Sequence, residues 1–167
     1  MTAAYDGDEV GAALAARLAA VTFTDLHADA VTALLIDTVA GWAAEQGWRV
    51  YRRAASVLRL PPPMDHQHSV IDVAVARPGG LPLAIEVDHG HRKRTVQKLI
   101  EEGQAGRIPV LVRWGGRKTP ETAVALILIA LDVDQHPGGR FSRGPTRPPP
   151  PHSGAAPGEA VALPLDG

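Results

Sequence analysis

Residues 68–88 read HSVIDVAVARPGGLPLAIEVD, and this stretch decides the fold. Two runs rich in Val, Ile and Ala, 68–76 and 81–88, flank the segment Arg77-Pro-Gly-Gly80. Proline presets one backbone angle and the glycines are free to take φ > 0, which is the chemistry of a tight turn. The stretch therefore predicts a β-hairpin of two antiparallel strands, centred near Gly79.

Three acidic residues lie on the two predicted strands, Asp72 on the first and Glu86 and Asp88 on the second. Side chains alternate across a strand, so Glu86 and Asp88 project from the same face. A turn centred near Gly79 places Asp72 across from residue 86 to within about one position, at a separation of roughly 5 Å. We therefore expect the three carboxylates to converge.

Converging carboxylates are suited to a divalent metal ion. In an apolar setting they raise one another's pKa and oppose ionisation, and a cation removes that cost. The chain has no cysteine, and oxygen ligands without sulfur favour Mg²⁺ or Mn²⁺. Asp72, Glu86 and Asp88 are thus predicted metal ligands. Alternatively, each acid pairs with a nearby arginine or lies at the rim of the sheet of a small structural protein.

The rest of the chain predicts an α/β domain. Val31, Leu35 and Val39 recur at helical spacing, whereas Thr119 and Pro120 resemble the start of a helix that continues despite β-branched residues. The predicted elements, in chain order, are helix 27–46, strand 48–56, the two hairpin strands, helix 93–105, strand 108–114 and helix 123–131. The order α-β-β-β-α-β-α predicts a mixed central β-sheet flanked by helices.

Composition divides the chain into three predicted segments. They are an N-terminal extension with a short helix (1–24), the α/β domain (25–134) and a Pro/Gly-rich tail (135–167) that we expect to be disordered. A solvated terminus is the simpler interpretation of the tail, although it could also bind a proline-recognising protein. No run approaches the roughly 18 apolar residues of a membrane span, and the acidic N-terminus lacks a secretory n-region, so we expect a cytoplasmic protein without membrane association.

Charge is unevenly distributed along the chain. Residues 49–118 carry 13 Lys and Arg against 6 Asp and Glu, whereas the remainder has a net charge of -8. A basic segment suits a polyanionic partner, although an Arg-rich solvated surface explains the charge equally well. The predicted contacts to nucleic-acid phosphates are the cations at or after the acidic positions, namely Arg92, Lys93, Arg94, Lys98, Arg113 and Arg117.

The hairpin acids carry a family resemblance. Ile71-Asp72 and Ala84-Ile85-Glu86-Val87-Asp88, followed by a helix and another strand, resemble the PD-(D/E)XK nuclease-like superfamily over roughly residues 30–115. The resemblance implies a restriction endonuclease-like fold and a Mg²⁺- or Mn²⁺-dependent nuclease that hydrolyses phosphodiester bonds, in DNA rather than RNA, in many relatives as a homodimer. It also implies metal binding by Asp72, Glu86 and the Val87 carbonyl.

One position departs from the superfamily pattern, because Asp88 stands where lysine is usual. That lysine orients or deprotonates the attacking water and offsets charge on the phosphate, which a carboxylate cannot do as a cation. Some relatives carry the basic residue on the following helix, where Lys98 is the candidate and Arg92, Lys93 and Arg94 are alternatives. The departure also supports a second interpretation, a catalytically inactive domain that binds nucleic acid or protein.

Two further groups of residues are candidates for the site. Many superfamily members have an acid on the first helix that reaches the metal through water, and Asp37 fits this role best, although an arginine partner would also explain it. The histidine pairs His66/His68 and His89/His91 flank the hairpin. They could bind a transition metal, contact substrate or act as a general base, or they could be surface loop residues.

Overall fold

Two β-sheets organise the part of the chain that the computed structural model describes, residues 4–90, 92–116 and 126–145. The helices are α1 (Gly7–Ala19), α2 (Ala28–Glu45) and α3 (Lys93–Gln104). The strands are β1 (Phe23–His27), β2 (Arg49–Arg59), β3 (His68–Ala76), β4 (Leu83–His89), β5 (Ile108–Trp114), β6 (Ile127–Leu131), β7 (Asp134–His136) and β8 (Arg140–Arg143).

The larger sheet has five strands in the order β2-β3-β4-β5-β6. The pairs from β2 to β4 are antiparallel, and those from β4 to β6 are parallel. Helices cover both faces, so β5 is buried along its whole length and β4 is buried up to its last residue. The predicted class, an α/β protein with a mixed sheet flanked by helices, is therefore confirmed.

The predicted hairpin is formed by β3 and β4. Val73 pairs with Ile85, Ala74 with Ala84 and Val75 with Leu83, so the hairpin is centred on Gly79. That glycine has φ +72, a left-handed conformation that other residues rarely adopt. Continuing the same register by one residue places Asp72 across from Glu86, as the sequence predicts.

The two faces of the sheet have separate apolar cores. Val73 and Ile85 lie in the larger core, which also contains Val31 and Leu35 of α2. Ala84, the neighbour of Ile85, points the other way, and it lies in the second core with Ile71, Leu99 and Leu111. Because α2 and α3 cover opposite faces, a side chain on α2 is separated by the sheet from the face that carries Glu86.

The predicted helix over 123–131 is wrong for its described part, because 127–131 form β6. Val110 to Trp114 of β5 pair in parallel with these residues. The β-branched Ile127 and Ile129 suit a strand, and pairing with a buried neighbour outweighs the helix-start signal before them. That signal, at Thr119 and Pro120, lies outside the described residues.

The predicted segment boundaries also need correction. β1 and β7 both pair with β8, so residues on either side of positions 25 and 135 form one small sheet. Phe23 and Phe141 are buried in the larger core with Leu14 and Leu18 of α1. The ordered domain therefore includes α1 and continues to residue 143, whereas residues 146–167 lie outside the described part. None of the described helices is both long and apolar enough to span a membrane.

Candidate functional site

Asp72 and Glu86 lie side by side on the sheet face that α3 covers. Asp72 Oδ2 accepts a hydrogen bond of 2.9 Å from the backbone N–H of Val87, so the carboxylate takes the place of a strand partner beyond the last regular pair of β3 and β4. The Glu86 side chain is hydrogen-bonded to Asp72. The hairpin thus fixes two carboxyl groups against each other.

Burial governs the ionisation of Glu86, which is 5% exposed. Removal from water, followed by the hydrogen bond and the charge of Asp72, raises the pKa of Glu86 from the usual 4.5 to about 8, and Lys98 opposes this rise. Without a metal, the Glu86 carboxyl group therefore stays protonated at neutral pH, and its O–H donates a hydrogen bond to Asp72. Strongly shifted pKa values are concentrated at functional sites, and a bound cation would stabilise the ionised form of Glu86.

Lys98 of α3 reaches this pair. Its Nζ lies 2.5 Å from Glu86 Oε1 and 2.5 Å from the Val70 carbonyl oxygen. The side chain is 12% exposed, so the ammonium group is held in place rather than solvated. Lys98 was the predicted replacement for the lysine missing at position 88, and the structure brings it to Glu86.

Asp88 lies apart from this pair. It is two residues beyond Glu86 on the same face, about 7 Å along the strand, and it is opposite Arg113 in the pairing of β4 with β5. Arg92 Nε also lies 3.5 Å from Asp88 Oδ1. Of the three acids expected to converge, only Asp72 and Glu86 do so, and Asp88 lies beside the two arginines.

The donors at Asp72 and Glu86 fit a hard divalent cation. Both are oxygen ligands. Burial, followed by the hydrogen bond and the charge of Asp72, raises the pKa of Glu86, and a cation would offset this cost of ionisation. Mg²⁺ commonly binds through one or two carboxylates while keeping several waters. In residues 4–90, 92–116 and 126–145, no group of three or more His, Cys, Asp or Glu side chains is arranged to hold a metal ion. A cation here would thus be held by the two carboxylates.

Asp37 is not part of this site. Its Oδ1 accepts a 2.5 Å hydrogen bond from Arg52 Nη1, and both side chains are more than half exposed. Arg52 pairs with Val73, which faces α2, so the sheet separates Asp37 from Glu86. The predicted role as a water-mediated metal ligand is wrong, and the arginine partner explains why an aspartate lies in this apolar stretch.

The predicted phosphate contacts differ in exposure. Arg92 and Lys93 are exposed at the start of α3, and Arg94 is partly buried and donates to the Arg59 carbonyl oxygen. Arg113 is only 4% exposed, because β5 is an interior strand whose side chains are covered. Its predicted contact with nucleic acid is therefore wrong, and Arg117 lies outside the described residues.

The histidines have partners away from the carboxylates. His68 Nδ1 is 2.6 Å from the Ser56 carbonyl oxygen, and His66 Nε2 is 3.3 Å from the Gln67 side-chain amide. The His89 ring is stacked on Trp114 at 3.9 Å, and His91 lies outside the described residues. Within the described part, these contacts favour structural or surface roles over a shared transition metal.

The sequence interpretation missed Glu102. This glutamate is 2% exposed, and its Oε1 accepts hydrogen bonds of 2.8 Å from both Ser56 Oγ and the Val57 N–H. Arg107 Nη1 lies 3.2 Å from Oε2. The contacts hold β2 against α3. Glu102 follows Leu99 by three positions on the buried stripe of α3, and this spacing was the available signal.

Similarity to known proteins adds nothing to this geometry. Comparison of the chain with family models, with curated proteins and with solved structures finds no match. The function must therefore be inferred from the carboxylate pair and its lysine.

Proposed function

We propose that the chain is a metal-dependent nuclease with a restriction endonuclease-like fold, related to the PD-(D/E)XK superfamily, that hydrolyses phosphodiester bonds in DNA. The observation that carries the proposal is the Lys98 ammonium group 2.5 Å from Glu86 Oε1, beside Asp72. Two carboxylates and one lysine are the side chains that the superfamily pattern requires. Here the lysine comes from the helix after the hairpin instead of from position 88.

Each side chain has a distinct task in this proposal. Asp72 and Glu86 hold Mg²⁺ or Mn²⁺, which would supply Lewis-acid stabilisation of charge on the phosphate oxygens. Lys98 places a positive charge beside the reacting phosphate and orients the attacking water. Its grip on the Val70 carbonyl oxygen limits its motion, which reduces the cost of organising the site before reaction.

A second function is favoured by burial. The Glu86 and Lys98 side chains are 7% and 12% exposed, and Lys98 already neutralises the carboxylate pair. A domain whose carboxylate pair is enclosed in this way could have lost metal binding and kept only the fold. The alternative is a catalytically inactive domain that binds nucleic acid or protein, and it predicts no hydrolysis with either metal.

The test is cleavage of supercoiled plasmid and linear DNA, with structured RNA in parallel, in Mg²⁺, Mn²⁺ or EDTA. The parent should cut DNA in either metal and not in EDTA, and Asp72→Ala, purified identically, should not cut. Cleavage that persists in Asp72→Ala would refute the site, since it would come from elsewhere or from a contaminant. No cleavage by a folded parent that binds DNA would favour the inactive domain, and faster cleavage of RNA would overturn the choice of DNA.

Asp37→Ala is a matched control with its own expected result. Because Asp37 pairs with Arg52 across the sheet from Glu86, its removal should leave metal affinity and cleavage rate at the parent values. The free energy of unfolding should fall by no more than about 1 kcal/mol, since the ion pair is exposed. Calorimetric metal titration and urea unfolding measure the two quantities, and a tenfold loss of metal affinity would restore Asp37 to the site.

A further inference from the structure

Arg53 has an unusual backbone in the middle of β2. Its φ is +53, in the left-handed region. Residues with a Cβ atom are strained in this region, whereas glycine is not. Regular pairs with β3 flank the position, Arg52 with Val73 and Ala54 with Ile71. The strain is thus local to one residue, and strained residues of this kind are concentrated at functional sites.

The position of Arg53 relates it to the carboxylate pair. The register of the flanking pairs places it across from Asp72. The residue is exposed and β2 is an edge strand of the sheet. Within residues 4–90, 92–116 and 126–145, the Arg53 side chain makes no hydrogen bond and no ion pair. The Arg53 guanidinium group is therefore left available to an external anion.

Protection of the sheet edge does not explain this arrangement. A charged residue in ordinary extended conformation discourages edge pairing equally well, so the left-handed conformation would be a needless cost. An acidic peptide added as a further strand is also disfavoured, because Arg53 interrupts the regular backbone with which such a strand would pair. A phosphate does not require backbone hydrogen bonds to the strand, and arginine binds it through several N–H donors.

We infer that Arg53 is a phosphate-binding residue, which contacts the backbone of a nucleic acid strand that crosses the edge of β2 at this residue and positions it at Asp72. The inference deepens the proposed function and takes the same polymer as ligand. Binding does not require hydrolysis, so it is tested without metal.

The experiment measures binding of fluorescein-labelled single-stranded and duplex DNA in EDTA over a range of salt concentrations. Arg53→Gly and Arg53→Ala should each weaken binding about three- to tenfold and lower the slope of log K against log salt by about 1. Arg53→Gly should also melt at a higher temperature than Arg53→Ala, because only glycine relieves the strain. Arg49→Gly, at the start of the same strand, is the matched control and should bind like the parent.

Each outcome decides the inference. Unchanged affinity in Arg53→Gly, or an equal loss in Arg49→Gly, overturns it. So does polyglutamate peptide binding as tightly as DNA, since that result would make the edge a protein site. Weaker DNA binding by both Arg53 variants supports the inference even if the parent does not cleave DNA. If the parent cleaves DNA and both variants bind it normally, the proposed nuclease function stands and the role of Arg53 is rejected.

Discussion

Lys98→Met is expected to lower the rate of metal-dependent DNA cleavage by about 10²- to 10³-fold while leaving metal binding within about threefold of the parent. The structure separates these effects, since the metal would be held by Asp72 and Glu86 and Lys98 contacts Glu86 Oε1 from α3. Methionine retains most of the apolar stem and removes the ammonium group. Single-turnover cleavage measures the rate, and calorimetric titration with Mn²⁺ measures the affinity.

The Lys98 variant should remain folded, which keeps the comparison clean. Lys98 lowers the pKa of Glu86, so its loss raises that pKa further and Glu86 stays protonated and hydrogen-bonded to Asp72. Gln97→Met, on the exposed side of the same helix, is the matched control and should cleave like the parent. Equal cleavage by Lys98→Met and Gln97→Met would remove Lys98 from the mechanism.

The local part of this fold could be predicted from sequence. The hairpin is specified by its own turn, since Pro78 and Gly79 lie between two β-branched runs, and the register that follows brings Asp72 to Glu86. Lys98 was predictable because a short connection joins β4 to α3 and limits where the helix can lie. In each case the relevant residues are close in sequence, so local chain geometry determines which side chains come into contact.

The long-range part could not be predicted in this way. Ile129 lies in a strand because β5 is beside it, and Phe23 is tied to Phe141 through pairing of β1 with β8, across most of the chain. Asp37 failed as a metal ligand because its helix covers the opposite face of the sheet. The left-handed backbone of Arg53 has no sequence signal, since residues other than glycine adopt it only when tertiary structure imposes it.

The metal-free protein is expected to lose stability as the pH rises, because of Glu86. Its pKa is about 8 in the folded protein and 4.5 is its usual value, so the folded state binds this proton more tightly than the unfolded state. The contribution of Glu86 is therefore most favourable below pH 4.5, declines between 4.5 and 8, and is constant above 8. From pH 5.5 to 8.5 the free energy of unfolding should fall by about 3 kcal/mol on this account.

Glu86→Gln isolates this effect from every other titrating group. The glutamine amide has the shape of the protonated acid and can donate to Asp72, but it cannot ionise. Urea unfolding in EDTA should show the variant more stable than the parent by about 3 kcal/mol at pH 8.5 and similar to it at pH 5.5. Mn²⁺ should restore much of the loss in the parent at pH 8.5, because the metal displaces the proton, and much less in the variant. Parallel stability curves for the two proteins from pH 5.5 to 8.5 would contradict the raised pKa, and no gain with Mn²⁺ would contradict metal binding by Glu86.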